Sequence, residues 1–456
     1  MEIPSRVGGK SEKKGEGKLK WWQLSLIGVG CTIGTGYFLG SGIGIFKTGP
    51  SFIIAFILAG LTAMIVSEIL GKMFMQDPQK GSFRTYAKKA YGRWAGFSSG
   101  WVYWFSEMLI AGSQLTALSI LTRFWFPYIP LWILASIYAT LGIIVVLVGT
   151  KGFERVENIF AVMKVAAIFM FIILALLILF GNFGGSINDF TIPNSMDSLF
   201  ANGMIGLWTS LIFGFYAFGG IEIMGILSMR LQNKNEVIKS TTVMLFILTM
   251  IYLISIFLAS GFANFDKFNA KESPFVIALA EYNLAFFPHV FIGAILIAGF
   301  STMAASLFAV TSMLLTMAED GDAPKIFTKK GKLKVPPFAL ALTISVLVLS
   351  IIISRLVPDQ VYEYITTAAG LMLIYNWFFI LVSFPKLIKA TKFDHFKRFI
   401  AMFLILLAIS GTILDKTNRI GFFVSILFIV VVLIVILFMR KGNKKNKTEF
   451  PRGLRS

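Results

Sequence analysis

Residues 21–46 read WWQLSLIGVGCTIGTGYFLGSGIGIF, 26 positions without a charged side chain. As one straight helix the stretch would measure about 39 Å at 1.5 Å per residue. The hydrocarbon core of a bilayer is only about 30 Å thick, and a crossing needs about 20 residues. Seven glycines lie inside it, at Gly28, Gly30, Gly34, Gly36, Gly40, Gly42 and Gly44. The run is therefore a membrane span with length to spare and glycine at its middle. The remainder of the chain agrees on the solvent. Of 456 residues 56% are apolar, 15% aromatic and 14% charged, against roughly 25% charged in soluble domains, and the mean hydropathy is +0.78. Even a 300-residue soluble domain buries only about three-quarters of its unfolded surface. A soluble enzyme is excluded.

The same reading gives twelve apolar segments, at 21–46, 51–71, 95–122, 129–149, 157–181, 199–229, 239–262, 276–317, 336–356, 362–384, 399–414 and 419–439. Lipid offers no partner to a backbone N–H or C=O, so each crossing must be helical. The expectation is an all-α integral membrane protein with 12 transmembrane helices. The eighth segment is too long for one crossing, and Pro274 to Pro288 is expected to form a separate helix before it. Twelve crossings put both ends on one side. Segments on that side hold 34 of the 42 Lys and Arg residues, those on the other side hold seven, and Lys164 is the remainder. Lys and Arg are retained in the cytoplasm, so both termini are expected there, with the protein in the cell membrane. The net charge of +19 is then mostly topology with some attraction to anionic lipid. Nucleic-acid binding, which needs one clustered basic face, is not expected.

Residues 1–20, with Arg6, Lys10, Lys13, Lys14, Lys18 and Lys20, read as a disordered basic cytoplasmic tail, and 441–456 as a second basic tail. No signal peptide is expected, because the first apolar run starts only at Trp21 and is too long for one. A single cysteine, Cys31, excludes an internal disulfide framework and a four-cysteine metal site. Two histidines, His289 and His395, leave little for haem or a histidine metal cluster. No cofactor or metal is expected.

Span six is also interrupted. It contains Gly214, then Phe218-Gly219-Gly220-Ile221-Glu222, then Gly225. Glycine inside a helix costs up to about 1 kcal/mol against alanine. Close helix packing is one explanation, since Gly36, Gly40 and Gly44 stand four apart. The pairing of spans one and six, five apart, supports another: an inverted repeat of five plus five helices, with broken helices at the bilayer midplane. Amides at a half-helix N-terminus attract a carboxylate, and freed carbonyls accept from an ammonium. A zwitterion satisfies both.

The segment Gly34-Thr35-Gly36-Tyr37-Phe38-Leu39-Gly40-Ser41-Gly42, followed by Thr48-Gly49-Pro50-Ser51, resembles the first span of bacterial amino acid permeases of the amino acid–polyamine–organocation (APC) superfamily. Similar to that family are Gly81-Ser82-Phe83 with Tyr86-Ala87, Gly100-Trp101-Val102-Tyr103-Trp104, Tyr216-Ala217-Phe218-Gly219-Gly220-Ile221-Glu222, and Ala318-Glu319-Asp320-Gly321-Asp322-Ala323-Pro324. The resemblance runs over roughly residues 20–440. It implies a LeuT-like 5+5 inverted repeat with broken helices 1 and 6, the repeats covering 21–181 and 199–384, and two peripheral helices over 397–440. It further implies that amides around Ile33, Gly34, Thr35 and Gly36 hold a substrate carboxylate. Carbonyls near Tyr216, Ala217 and Gly219 would take the amine, and Phe218 would form part of an aromatic gate.

Ionisable groups at membrane depth cost about 2.5–3.5 kcal/mol even on the lenient insertion scale, so each needs a reason. Lys164 in span five could snorkel to the cytoplasmic boundary. Yet Val162-Met163-Lys164-Val165 resembles the place where these permeases carry a lysine, where sodium-coupled relatives bind a cation. That likeness implies proton coupling at Lys164. Glu222 follows the span-six break, where the family has a glutamate, and is read as a bridge to neighbouring helices before a proton carrier. Glu107, in the middle of span three, is open between a bystander and a coupling role. Gln114 departs from the family, in several members of which a glutamate precedes Leu-Thr-Ala. It cannot titrate but can hydrogen bond substrate. After span six, Arg230, Lys234, Glu236 and Lys239 replace the family's usual acidic residue and downstream Pro and Lys.

The leading expectation is a secondary active importer of an amino acid, neutral by the small Ala217 and Gly219 beside Phe218, with protons as coupling ion. An amino acid exchanger, or a permease for polyamines or another organic cation, is the alternative. A polyamine has no carboxylate for the span-one break, and mid-span carboxylates are not in excess. A non-transporting nutrient sensor would be expected to carry a longer cytoplasmic extension. A membrane enzyme or channel would need a catalytic constellation or a pore ring, and neither is visible. The aromatics Trp101, Tyr103, Trp104, Trp125, Tyr128 and Trp132 read as interfacial belt or core packing.

Overall fold

The computed structural model describes residues 19–79, 81–148, 150–183, 190–329, 335–357 and 360–448. Of the two expected basic tails, 1–18 and 449–456 lie outside the described residues. Within them the structure is helical, apart from one isolated parallel bridge between Leu19 and Leu231.

Span one is built from three pieces, α1 (Trp21–Thr32), α2 (Thr35–Phe38) and α3 (Gly40–Thr48). Gly49 at φ +76° and Pro50 turn the chain into α4 (Phe52–Gln76), which is span two. A side chain at position 49 would be strained by that φ and would meet Ala201 at 2.9 Å. A short helix, α5 (Ser82–Tyr91), leads to α6 (Arg93–Thr122), and α7 (Leu131–Val148) and α8 (Thr150–Leu179) complete the first five spans. After α9 (Met196–Leu199), span six consists of α10 (Gly203–Ala217) and α11 (Ile223–Leu227), with Phe218–Glu222 as turn between them. The remaining helices are α12 (Val237–Phe262), α13 (Pro274–Ala278), α14 (Phe286–Glu319), α15 (Pro337–Leu356), α16 (Val361–Leu387), α17 (Lys392–Leu414) and α18 (Lys416–Thr448).

By length and composition alone, nine stretches among the described residues can cross a membrane, and one of them, Thr35–Gln76, contains the turn at Gly49 and so holds two passes. With α6 and the shorter apolar helix Leu131–Leu147 the order is that of a LeuT-like transporter with twelve crossings. The helices sort by burial. In the most apolar window of α16, 78% of residues are buried, against 33% in α17 and 17% in α18. The last two are therefore rim helices facing lipid. At the centre α6 packs on α14 and α16, while α10 packs on α3, α4 and α16. Rings from separate spans fill the core between them: Tyr37 stacks on Tyr252 at 4.0 Å, and Phe38, Phe171, Phe275 and Phe291 meet edge to face.

Several boundaries differ from those read off apolar runs. The helix expected over Pro274 to Pro288 is only α13, five residues long, and α14 already includes Pro288. Proline is tolerated in a first turn, where its missing N–H would have no partner. The α5 helix was invisible to a search for apolar runs, because SFRTYAKKAY is ten residues long and carries the basic residues Arg84, Lys88 and Lys89. The α17 helix starts at Lys392, seven residues earlier than 399. Thr391 accepts from the Asp394 amide, and the Asp394 carboxylate accepts in return from Thr391, a capping box that starts the helix in polar sequence.

Candidate functional site

Ile33 and Gly34 are extended, and they separate α1 from α2 at the middle of span one. A continuous helix would bond the Gly34 amide to Gly30 O and later amides to the carbonyls behind them. The break removes those bonds and leaves the amides at Gly34, Thr35 and Gly36 without intrahelical acceptors. Gln114 of α6 fills part of the gap: its Oε1 accepts from the Thr35 N–H at 3.1 Å. The site is tightly enclosed. A Cβ on Gly34 would lie 3.1 Å from Thr302 Oγ1 and 3.2 Å from Gln114 Nε2, and one on Gly36 would lie 2.7 Å from the Tyr216 ring.

The freed carbonyls also have named partners. Lys164 of α8, fully buried, donates from Nζ to Gly30 O at 2.7 Å and to Thr302 Oγ1 at 3.3 Å. Thr302 of α14 donates toward Ile33 O at 3.2 Å and its own helix's Ala298 O at 3.1 Å. The ammonium thus takes the acceptor that a helical Gly34 amide would have used. One cationic side chain joins α8, α14 and the broken end of α1. Tyr362 of α16 donates to Thr35 O at 3.0 Å from the other side of the break.

In span six, Gly220 at φ +102° makes the turn. The Gly219 amide donates to Tyr216 O at 3.0 Å, and Tyr252 donates to Ala217 O at 3.3 Å. The Tyr216 ring lies against Gly36, and its hydroxyl is hydrogen bonded to Ser113 of α6. Phe218 is elsewhere: its ring packs 6.0 Å from Phe56 and 5.4 Å from Tyr252, among α4 and α12. Tyr216 is the aromatic whose ring lies against the span-one break. Ile33, Gly34, Thr35, Gly36, Gln114, Lys164 and Tyr216 come together here. Glu222 and Glu107 are both buried nearby, Glu222 with its Oε2 3.5 Å from the Trp377 indole nitrogen. Among the described residues no group of three or more His, Cys, Asp or Glu is placed to hold a metal ion.

The two ends of the bundle differ. On the Lys/Arg-rich face, Leu19 pairs with the segment after α11, its amide donating to Arg230 O at 2.7 Å and its carbonyl accepting from Gln232 at 2.9 Å. Beside it, the buried Arg84 guanidinium reaches Asp320 at 2.7 Å and Asp322 at 2.6 Å, and Arg93 reaches Asp322 at 3.1 Å. On the opposite face a cavity of about 450 Å³ opens between Arg123, Phe124, Lys271, Ser273 and Glu363, and reaches Tyr362 at its floor. Lys47 there bridges Glu363 at 2.7 Å and Asp415 at 2.9 Å. The basic face is thus tied across by these backbone and ion-pair bonds, while the opposite face holds the cavity that Tyr362 helps to line. Thr302, Ser113 and Tyr362 were not singled out in the sequence. Ser301-Thr302 inside an apolar span was the one available signal, and Tyr362 offered none.

The family model for amino acid permeases matches residues 23–450. An uncharacterized transporter of Bacillus subtilis, YcgH, is 51% identical over 96% of this chain and 98% of its own length. The aromatic amino acid transport protein AroP of Corynebacterium glutamicum is 32% identical over 81% of each chain. The protein of the same name from Escherichia coli K12 is 29% identical over 96% of this chain and 98% of its own.

Proposed function

The chain belongs to the amino acid permease family, and on that premise we propose that it takes up a neutral, aromatic amino acid together with a proton, by alternating access. The amides at Gly34, Thr35 and Gly36 receive the substrate carboxylate, which displaces the Gln114 carboxamide from Thr35. Carbonyls at Tyr216, Ala217 and Gly219 take the ammonium, with Tyr216 closing over the bound solute. The aromatic side chain is supported by the two relatives named as aromatic amino acid transporters. Two inverted repeats, 21–181 and 199–384, rock about this site. The Lys/Arg-rich face is cytoplasmic, in keeping with retention of basic residues there, and the cavity side is extracellular.

The observation that carries the coupling is the Lys164 ammonium on Gly30 O. Protonated, it holds the end of α1 against α8 and α14. Deprotonated, it loses its charge and one donor, and α1 is freed to swing. Proteoliposomes loaded at neutral pH and diluted into acidic buffer test the reading. Labelled phenylalanine should accumulate, a proton uncoupler should abolish the accumulation, and tryptophan and tyrosine should compete ahead of the other amino acids. Uptake indifferent to the uncoupler refutes the proton coupling. Competition led by charged or small amino acids refutes the substrate class.

A further inference from the structure

Where the rim helix α18 passes α6 near the basic face, the bundle leaves a groove of about 480 Å³. One wall is α6, through Phe97 and Trp101, and the other is α18, through Phe428, Val431, Val435 and Met439. The chain that follows α14 forms the mouth, with Pro324 and Phe327. At the deep end Phe105 of α6 stacks on Phe428 at 3.8 Å. The apolar stretch of α18 ends at Met439, and from Phe428 to Met439 the helix advances about 16 Å at 1.5 Å per residue. That is the depth of one leaflet, half of a hydrocarbon core about 30 Å thick.

The mouth is basic. Arg93, the first residue of α6, bonds Asp322 and Gly321 O while its side chain stays 48% exposed. Lys325 is exposed between Pro324 and Phe327, and α18 continues from Met439 into Arg440 and Lys441. The one carboxylate on the wall, that of Asp322, is buried and already faces Arg84, Arg93 and Lys88. The groove therefore joins an apolar slot one leaflet deep to a cluster of cations at its surface end. A zwitterionic amino acid would leave both charges among rings, which costs free energy without partners. A phospholipid meets both halves, with an acyl chain in the slot and its phosphate among the cations, and basic pockets on the cytoplasmic side of a helix bundle hold anionic headgroups in this way.

We propose that one anionic phospholipid binds in this groove, its phosphate at Arg93 and Lys325 and one acyl chain between α6 and α18, and that it braces the Arg84–Asp322 ion pair. The groove and the ion pair share a wall. Trp101 lines the groove and donates from its indole nitrogen to Asp322 O at 3.1 Å, while the Asp322 carboxylate accepts from Arg84 at 2.6 Å. A chain packed against Trp101 and Pro324 supports from behind the loop that the arginines hold in front. A lipid that binds the tied arrangement more tightly than an untied one shifts the population toward it.

The test is native mass spectrometry of the full chain taken from micelles with equal amounts of phosphatidylglycerol and phosphatidylcholine bearing the same acyl chains. One phosphatidylglycerol should be retained per chain, about tenfold or more over phosphatidylcholine, since each basic residue at a lipid surface contributes about fivefold. Lys325→Gln, at an exposed position, should lower that excess about fivefold. Val431→Trp combined with Val435→Trp fills the slot from positions 47% and 39% exposed, and should abolish retention while the chain unfolds at the parent's temperature in phosphatidylcholine. Hydrogen exchange at amides 318–324 should be slower in vesicles of phosphatidylglycerol than of phosphatidylcholine in the parent, and equal in the two for the double variant. Equal retention of both lipids refutes the anionic site, as does an excess unmoved by Lys325→Gln or a lipid that survives both tryptophans. A second copy of the chain retained in place of lipid refutes it as well. Exchange in the parent that is the same in both lipids refutes the brace.

Discussion

Replacing Gln114 by methionine separates two roles that this side chain could have, and the sign of the effect decides. Gln114 Oε1 accepts from the Thr35 amide at 3.1 Å, and the residue is 2% exposed. Methionine has nearly the same length and no strong acceptor, so the amide loses its partner while the packing is kept. A typical intramolecular hydrogen bond contributes about 0.5–1.5 kcal/mol net. The empty protein should therefore lose about that much stability. If the substrate carboxylate takes the same amide, it no longer has to displace the carboxamide, and binding should tighten by the same amount. That is roughly two- to tenfold in Kd. Gln114→Glu should act the other way, since an anionic acceptor holds the amide more strongly. The assay is equilibrium binding of labelled phenylalanine to purified protein, with thermal unfolding of the same samples without ligand. Weaker binding in Gln114→Met, with stability down as expected, would show that Gln114 holds the substrate and does not compete with it.

Other outcomes follow from the same geometry. Lys164→Gln should cost about 1.5–3 kcal/mol of stability, the range for a hydrogen bond to a charged group, and its uptake should no longer vary across a pH series as the parent's does. Gly36→Ala drives a methyl to 2.7 Å from the Tyr216 ring, whereas Gly40→Ala would find the Tyr362 hydroxyl at 3.8 Å. Overpacking costs about 1–3 kcal/mol, so uptake should fall about tenfold or more in the first and hold in the second. Asp322→Asn, whose side chain is fully buried against Arg84, should destabilise by about 3–5 kcal/mol, and Asp320→Asn, at 46% exposure, by less than about 1 kcal/mol, as read by thermal unfolding. The Asp415 carboxyl is partly buried, which opposes its charge, but the amides of Asn418 and Thr417 and the Lys47 ammonium outweigh this and hold it below its ordinary 3.8. Its stabilisation is present above 3.8 and lost as the pH falls further, so Asp415→Asn should flatten the acid limb of a melting-temperature profile.

The two broken spans were legible because glycine and surplus length leave a mark in one dimension: Ile33-Gly34 and Gly219-Gly220 are where the helices stop. The partners of the exposed backbone were less so. Lys164 could be singled out as a charge at membrane depth, but its acceptor, Gly30 O, is a carbonyl that exists as a free group only once the break has formed. Thr302 and Tyr362 reach the site by the rotation of α14 and α16, which apolar runs do not encode. The α5 helix escaped because charge and shortness hide it from any search for crossings.

The pairing of Leu19 with Arg230 and Gln232 ties the chain just ahead of α1 to the chain just beyond α11. The basic-face halves of both broken spans are thereby yoked at their tips, and neither can tilt away without dragging the other or tearing two backbone bonds. Whatever tugs on the polypeptide immediately upstream of Leu19, whether a lipid surface or a fused domain, has a lever on both broken spans at once.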